Sequence, residues 1–165
     1  MTILSWYNNI SMQKLLSFLR SKPFFFFWTS ILYIVVLYLV KWNIHPTIQA
    51  LFFGIGSFIG MYFLEAAERF FHLNPSPFRS VVFVVLFSAV SFFVITSSVS
   101  YVASGLVLSI FLTLVLWQYG ELATVKNLNR WYLMLADPVS PRMQIGVLYI
   151  QLLFFLVQTV IFLKR

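Results

Sequence analysis

Long apolar runs occupy most of this chain, and short polar joints separate them. Five runs are long enough to cross a hydrocarbon layer about 30 Å thick, which takes a helix of about 20 residues. Because open strands and loops leave backbone groups unpaired in lipid, runs of this length predict helices. The sequence therefore predicts an all-α polytopic integral membrane protein with about five transmembrane helices, at approximately residues 24–40, 47–72, 80–97, 102–119 and 143–163.

The composition supports lipid as the main solvent of the chain. Only 9% of the 165 residues are charged and 61% are apolar, whereas a soluble domain carries about a quarter charged residues. Too few polar groups remain to coat a water-facing surface, so the lipid bilayer is the first expected partner. The chain has no cysteine, which excludes disulfides and thiolate metal sites.

The charge is positive, with 11 basic and 4 acidic residues. The basic residues are scattered over several joints and form no single stripe, so no nucleic-acid partner is expected. In the five-helix arrangement, most Lys and Arg lie on the side of the N-terminus. This bias predicts a plasma (inner) membrane protein with a cytoplasmic N-terminus and an external C-terminus, although Lys164 and Arg165 then lie on the disfavoured side.

Two segments outside the apolar runs are predicted to lie at the membrane surface. Residues 1–23 are basic and amphipathic, which indicates an interfacial helix or, alternatively, a disordered positive leader. Residues 121–136 carry apolar residues at near-helical spacing and predict a second interfacial helix. Residues 24–165 are then expected to form a single transmembrane helical domain.

The uncharged stretch of residues 80–119 is too long for one crossing. Serines cluster near its middle, where short polar side chains can bond to the backbone of a tight turn. We expect an antiparallel hairpin of two helices. A single crossing with a re-entrant piece is the alternative, and it would return the C-terminus to the inner side.

Three glutamines follow one another at intervals of seven residues in the last run: Gln144, Gln151 and Gln158. This spacing gives one stripe that drifts by only about 20° per step. An amide facing lipid leaves its donors and acceptors unpaired, so the stripe is expected to face protein or water. It predicts hydrogen bonds to other helices, with Ser88 and Ser91 as candidate partners, or to a second copy of the chain. The alternative is the polar wall of a substrate path.

An ionisable cluster lies at the end of the second run: Glu65, Glu68, Arg69 and His72. The spacing favours ion pairs from Glu65 to Arg69 and from Glu68 to His72. We expect solvated pairs at the inner interface. A protonatable or metal site is the alternative, although no metal or other cofactor is predicted, because di-metal helical bundles need carboxylates and histidines on several helices.

Gly56 and Gly60 form a GxxxG step in the second run. Such a step lets another helix approach closely, within the chain or in another copy. No arrangement of nucleophile and base is evident in the sequence, so no catalytic residue is predicted. The leading functional hypothesis is a packing, scaffold or accessory subunit of a membrane complex, with a homo-oligomer or a membrane-protein partner. The alternatives are a small transporter or channel subunit that uses the glutamine stripe, and a membrane enzyme or metal site at the inner end of the second run.

Overall fold

The computed structural model of the protein describes residues 24–43, 45, 47–135 and 139–165. The predicted interfacial segment 1–23 lies entirely outside the described residues. Within the described part the chain is all-α, with helices α1 (Phe24–Trp42), α2 (Ile48–Phe70), α3 (Val81–Ser97), α4 (Tyr101–Val125) and α5 (Pro141–Lys164).

Four of these helices, α1, α2, α4 and α5, are long and apolar enough to cross a membrane. The shorter apolar helix α3 has 17 residues, which extend over about 25 Å at 1.5 Å per residue. The predicted fold class, an all-α polytopic membrane protein, is therefore confirmed.

Four of the helices have a residue with a hydroxyl side chain at the N-cap. Thr47, Ser80, Ser100 and Ser140 occupy the N-cap positions of α2, α3, α4 and α5, and each side-chain oxygen accepts from a backbone N–H in the first turn. Such caps satisfy donors that have no partner within the helix. These caps fix where each of the four helices begins.

The segment after α4 corrects one prediction. Residues 121–125 are the last turn of α4, which ends where Lys126 adopts a left-handed conformation with φ 64°. A short 3₁₀ turn follows at Asn129–Tyr132. The apolar spacing of this segment reflects inward packing, since Leu128 and Trp131 are 0% and 1% exposed. An interfacial helix over 121–136 is therefore wrong for the described residues.

Helix α4 is the centre of the bundle. All of its residues from Val107 to Gln118 are buried, and its most extensive neighbour is α2. A β-carbon added at Gly56 would overlap the carbonyl of Val102, and one added at Gly60 would overlap the carbonyl of Leu106. The helix that approaches the GxxxG step is therefore α4 of the same chain, and the two backbones are in direct contact.

Helices α3 and α4 form the expected hairpin, with only residues 98–100 between them. The Ser98 Oγ accepts a 3.1 Å hydrogen bond from the Ser100 N–H in this turn. Successive helices run in opposite directions, so the bundle has two distinct ends. We call one the glutamate end, because Glu65, Glu68 and Glu121 lie there, and the other the lysine end, after Lys41 and Lys164.

Candidate functional site

A cavity of about 700 Å³ lies at the glutamate end. The beginning of α1, the ends of α2 and α4, and the two segments that follow these helices all contribute to its wall. The cavity wall includes three carboxylates, three guanidinium groups and a set of aromatic rings: Glu65, Glu68, Glu121, Arg69, Arg79, Arg130, Phe25, Phe26, Trp117 and Tyr119. The formal charges of this wall balance.

A second cavity, of about 310 Å³, adjoins the first. Glu68, Arg79, Glu121 and Arg130 line both cavities. The second one lies on the side of the loop that connects α2 and α3, where Asn74 and neighbouring residues complete its wall. These four shared side chains form the polar centre of the glutamate end.

Glu68 and Arg79 form a bidentate ion pair across this centre. The Arg79 Nε and Nη2 donate to the two Glu68 carboxylate oxygens at 3.0 and 3.1 Å. The Arg79 guanidinium also lies 4.4 Å from the ring centroid of Trp117, within range of a cation–π interaction. The pair ties the α2–α3 loop to α2, and its contact with Trp117 joins that loop to α4.

The predicted pairing of Glu68 with His72 is therefore wrong. Helix α2 ends at Phe70, and His72 has a positive φ of 50°, outside the helix. The i,i+4 spacing brings side chains together only while the helix continues. His72 is exposed and does not line either of the two cavities, whereas Glu65 and Arg69 line the larger one.

Glu121 has an unusual environment. Its Oε2 accepts a 2.9 Å hydrogen bond from the Trp131 Nε1, while its Oε1 is buried with no hydrogen-bond partner among the described residues. A buried carboxylate oxygen without a donor is costly. The preceding residue, Gly120, has no β-carbon, and this leaves room for the ring of Phe26. A β-carbon added at Gly120 would lie only 2.5 Å from the Phe26 Cζ.

Sequence reasoning found the α2 half of this site and missed the half formed by Arg79, Trp117, Glu121 and Arg130. The signal was available in the topology. In an up-and-down bundle, the end of α2, the start of α3 and the end of α4 meet at one end, so polar residues from all three converge. Among the described residues no three His, Cys, Asp or Glu side chains lie close enough together to hold a metal ion.

The glutamine stripe faces the interior of the bundle. Gln158 is 0% exposed; its Oε1 accepts a 2.6 Å hydrogen bond from the Ser91 Oγ, and its Nε2 donates to the Ser88 carbonyl at 3.4 Å. Gln144 donates to the Asn129 Oδ1 at 2.7 Å and accepts from the Leu128 N–H at 2.9 Å. Two of the three amides thus connect α5 to other parts of the same chain.

Gln151 differs from its two neighbours in the stripe. It is 6% exposed, yet neither of its amide atoms has a hydrogen-bond partner in the described part of the chain. About two turns farther along α5, the hydroxyl of Thr159 shares a 2.9 Å hydrogen bond with that of Tyr33 on α1. Because the Gln151 amide atoms are buried within one chain, a second copy cannot reach them without rearrangement.

Two cationic side chains at the lysine end donate hydrogen bonds to backbone carbonyls near the ends of helices. The Lys41 Nζ donates to the Phe162 carbonyl at 2.6 Å, and the Arg165 Nη1 donates to the Ile95 carbonyl at 2.8 Å. Both acceptors lie in last turns, where carbonyls lack intrahelical donors and positive charge is favoured. Arg165, on the disfavoured side by the charge rule, therefore has a local structural role.

Comparisons with protein-family models, with curated proteins and with solved structures give no match for this chain. By the length and apolar composition of its helices, the chain is a multi-pass membrane protein.

Proposed function

We propose that this protein is a non-catalytic accessory or scaffold subunit of a membrane complex, which acts through helix packing. The observation that carries the proposal is the distribution of polar groups. The described charged side chains lie at the two ends of the bundle, while the middle of the helices contains amides and hydroxyls such as Gln151, Ser91 and Thr113. Transporters and intramembrane enzymes usually keep ionisable groups at depth.

The close α2–α4 contact and the interhelical amide bonds favour a rigid body. In lipid, helices associate through close packing and interhelical hydrogen bonds, because burial of apolar surface gains little there. A rigid bundle suits a structural subunit better than a protein that must alternate between two states.

The outer helices supply the surface for a partner. Large apolar side chains of α5, including Tyr149 at 67% and Leu153 at 66% exposure, point away from the bundle. Such a face is covered either by lipid tails or by another transmembrane helix. The proposal assigns part of it to a protein partner.

Photo-crosslinking in native membranes tests this assignment. A photoreactive residue at Tyr149 or Leu153 is expected to give one discrete protein adduct, and the same residue at Phe63 of α2, which is 48% exposed, serves as the matched control on another face. Adducts with lipid alone from every exposed position of α5, together with purification as an isolated chain, would contradict a role as a subunit.

A second candidate function, a small transporter or channel subunit, has one observation in its favour, the unpaired amide of Gln151. A hydrated path beside the stripe would supply water to that amide. Because the chain lacks cysteine, a single Gln151→Cys variant reports its own accessibility. Labelling by a charged, water-soluble thiol reagent as fast as an Arg142→Cys control would favour transport, and protection would favour the packing role.

A further inference from the structure

We propose that the cavity at the glutamate end binds a phosphate group that carries a primary amine, the chemistry of a phosphoethanolamine headgroup, and that a membrane phospholipid presents it. This site is independent of the scaffold role. It rests on the balanced charges of the cavity, on the unpartnered oxygen of Glu121, and on the position of the opening beside exposed apolar side chains.

The size of the cavity suits a polar headgroup. Its volume of about 700 Å³ lies within the range of about 300–1,000 Å³ that is typical of small-molecule sites. Four shared side chains continue the polar wall into the second cavity. A headgroup and the first atoms of its acyl chains can therefore be accommodated together.

The charge of the wall selects a zwitterion. Glu65, Glu68 and Glu121 are balanced by Arg69, Arg79 and Arg130, so neither an isolated anion nor an isolated cation is favoured overall. Glu68 and Arg79 already neutralise each other through their bidentate pair. A ligand with one positive and one negative group adds no net charge to the site, and each of its charges can find an opposite one.

Glu121 selects the amine. Its Oε1 is buried and lacks a donor among the described residues. Once the carboxylate turns toward the cavity that Glu121 lines, a primary ammonium can donate to this oxygen in a charge-assisted hydrogen bond. A quaternary ammonium has no N–H and would leave the oxygen unpaired. A headgroup with only an anionic phosphate and hydroxyls would leave the carboxylate without a counter-charge.

Arg130 selects the phosphate. Its side chain lines both cavities and is exposed, and no hydrogen bond or ion pair joins it to the described residues. A guanidinium matches phosphate oxygens in geometry and charge. The assigned orientation places the amine at Glu121 and the phosphate at Arg130.

The opening of the cavity favours a lipid over a soluble zwitterion. Phe25, which lines the cavity from the first turn of α1, is 59% exposed, and Val125 at the end of α4 is 52% exposed. These side chains form an apolar margin at the end of the bundle. Acyl chains can lie against this margin while the headgroup enters the polar centre.

Native mass spectrometry of the purified full chain in detergent tests the proposal with three lipids of identical acyl chains. The headgroups are phosphoethanolamine, phosphocholine and phosphoglycerol. We expect the phosphoethanolamine lipid to bind about tenfold more tightly than the other two, because a hydrogen bond to a charged group changes an affinity by about one order of magnitude. Equal binding of the three, or preference for phosphoglycerol, would overturn the proposal.

Two variants and one control locate the binding to the cavity. Glu121→Gln and Arg130→Gln are each expected to abolish the headgroup preference, whereas Arg142→Gln, at the exposed start of α5, is expected to preserve it. Melting curves in the same detergent establish that each variant is folded; if one variant fails to fold, the other decides. Unchanged preference in a folded Glu121→Gln or Arg130→Gln protein would refute the site.

A soluble headgroup distinguishes the two sources of the same chemistry. Glycerophosphoethanolamine carries the phosphate and the amine without acyl chains. We expect its affinity to be at least about tenfold lower than that of the lipid, because burial of acyl methylenes adds to binding. Binding as tight as that of the lipid would show that the cavity takes a free zwitterion and would overturn the assignment to lipid.

Discussion

The Oγ of Ser91 on α3 donates a 2.6 Å hydrogen bond to the Oε1 of Gln158 on α5, at a point where both residues are 0% exposed. This bond joins two helices that are distant in sequence, and it accounts for an amide in an apolar stretch of α5. Its energy can be measured directly.

Replacing Gln158 with leucine is expected to lower the free energy of unfolding by about 1 kcal/mol, within the range of interhelical hydrogen bonds measured in membrane proteins. Unfolding by sodium dodecyl sulfate in mixed micelles gives the value, and a double-mutant cycle with Ser91→Ala isolates the pair. Gln49→Leu, on the exposed start of α2, is the matched control. A coupling energy of zero in the cycle would refute the stated role of this bond.

Adding one methyl group at Gly60 is expected to separate α2 from α4. The new β-carbon would overlap the Leu106 carbonyl, and because backbone cannot move aside as a side chain does, we expect a loss of about 2–3 kcal/mol in unfolding free energy. Gly54→Ala lies in the same helix with nothing within 4 Å of the added carbon, so it is expected to be neutral or slightly stabilising. Similar losses for the two variants would be inconsistent with the backbone contact.

The bidentate pair of Glu68 and Arg79 is expected to contribute about 0.5–1 kcal/mol, since it is partly open to solvent. Glu68→Gln and Arg79→Gln, alone and together, give the coupling energy from chemical unfolding. High salt is expected to reduce this coupling. A coupling that is absent at low salt, or a coupling of Glu68 with His72 instead, would contradict the observed pairing.

Lys41 is expected to stabilise the end of α5. Lys41→Met removes both the donor to the Phe162 carbonyl and the charge that lies 4.5 Å from the Phe162 ring centroid, and we expect a loss of about 1 kcal/mol. Lys164→Met serves as the control, because Lys164 is an exposed cation in the last turn of the same helix. Equal effects of the two changes on the melting temperature would argue against a specific role for Lys41.

The helical fold was predictable because the bilayer imposes a length and a composition on each crossing. Caps such as Ser80 and Ser140 mark their helix starts in the sequence. The continuation of α4 to Val125 was harder to predict, since burial by tertiary contacts and amphipathic surface packing produce similar apolar spacing. Leu128 and Trp131 fit a helical pattern, yet both are buried in the bundle, Leu128 just before a 3₁₀ turn and Trp131 within it.

The candidate site was half predictable for a related reason. Glu65, Glu68 and Arg69 belong to one helix, so their spacing in the sequence is enough to predict that their side chains lie close together. Arg79, Glu121 and Arg130 join them only through the antiparallel order of the helices, which no local spacing encodes. The loss of His72 from the cluster depends on where α2 ends, and helix ends are the part of a sequence prediction with the largest error.

The most direct test of the account is the accessibility of spin labels attached along the outward face of α5, at Tyr149, Leu153, Leu156 and Val160. The central claim is that lipid tails or another membrane helix surround this face. For the purified chain in bilayers without a partner protein, we predict fast relaxation by dissolved oxygen and protection from a water-soluble nickel complex at all four positions, with the reverse at Arg142. Strong relaxation by the nickel complex at Leu153 and Leu156 would place this face in water and contradict the account.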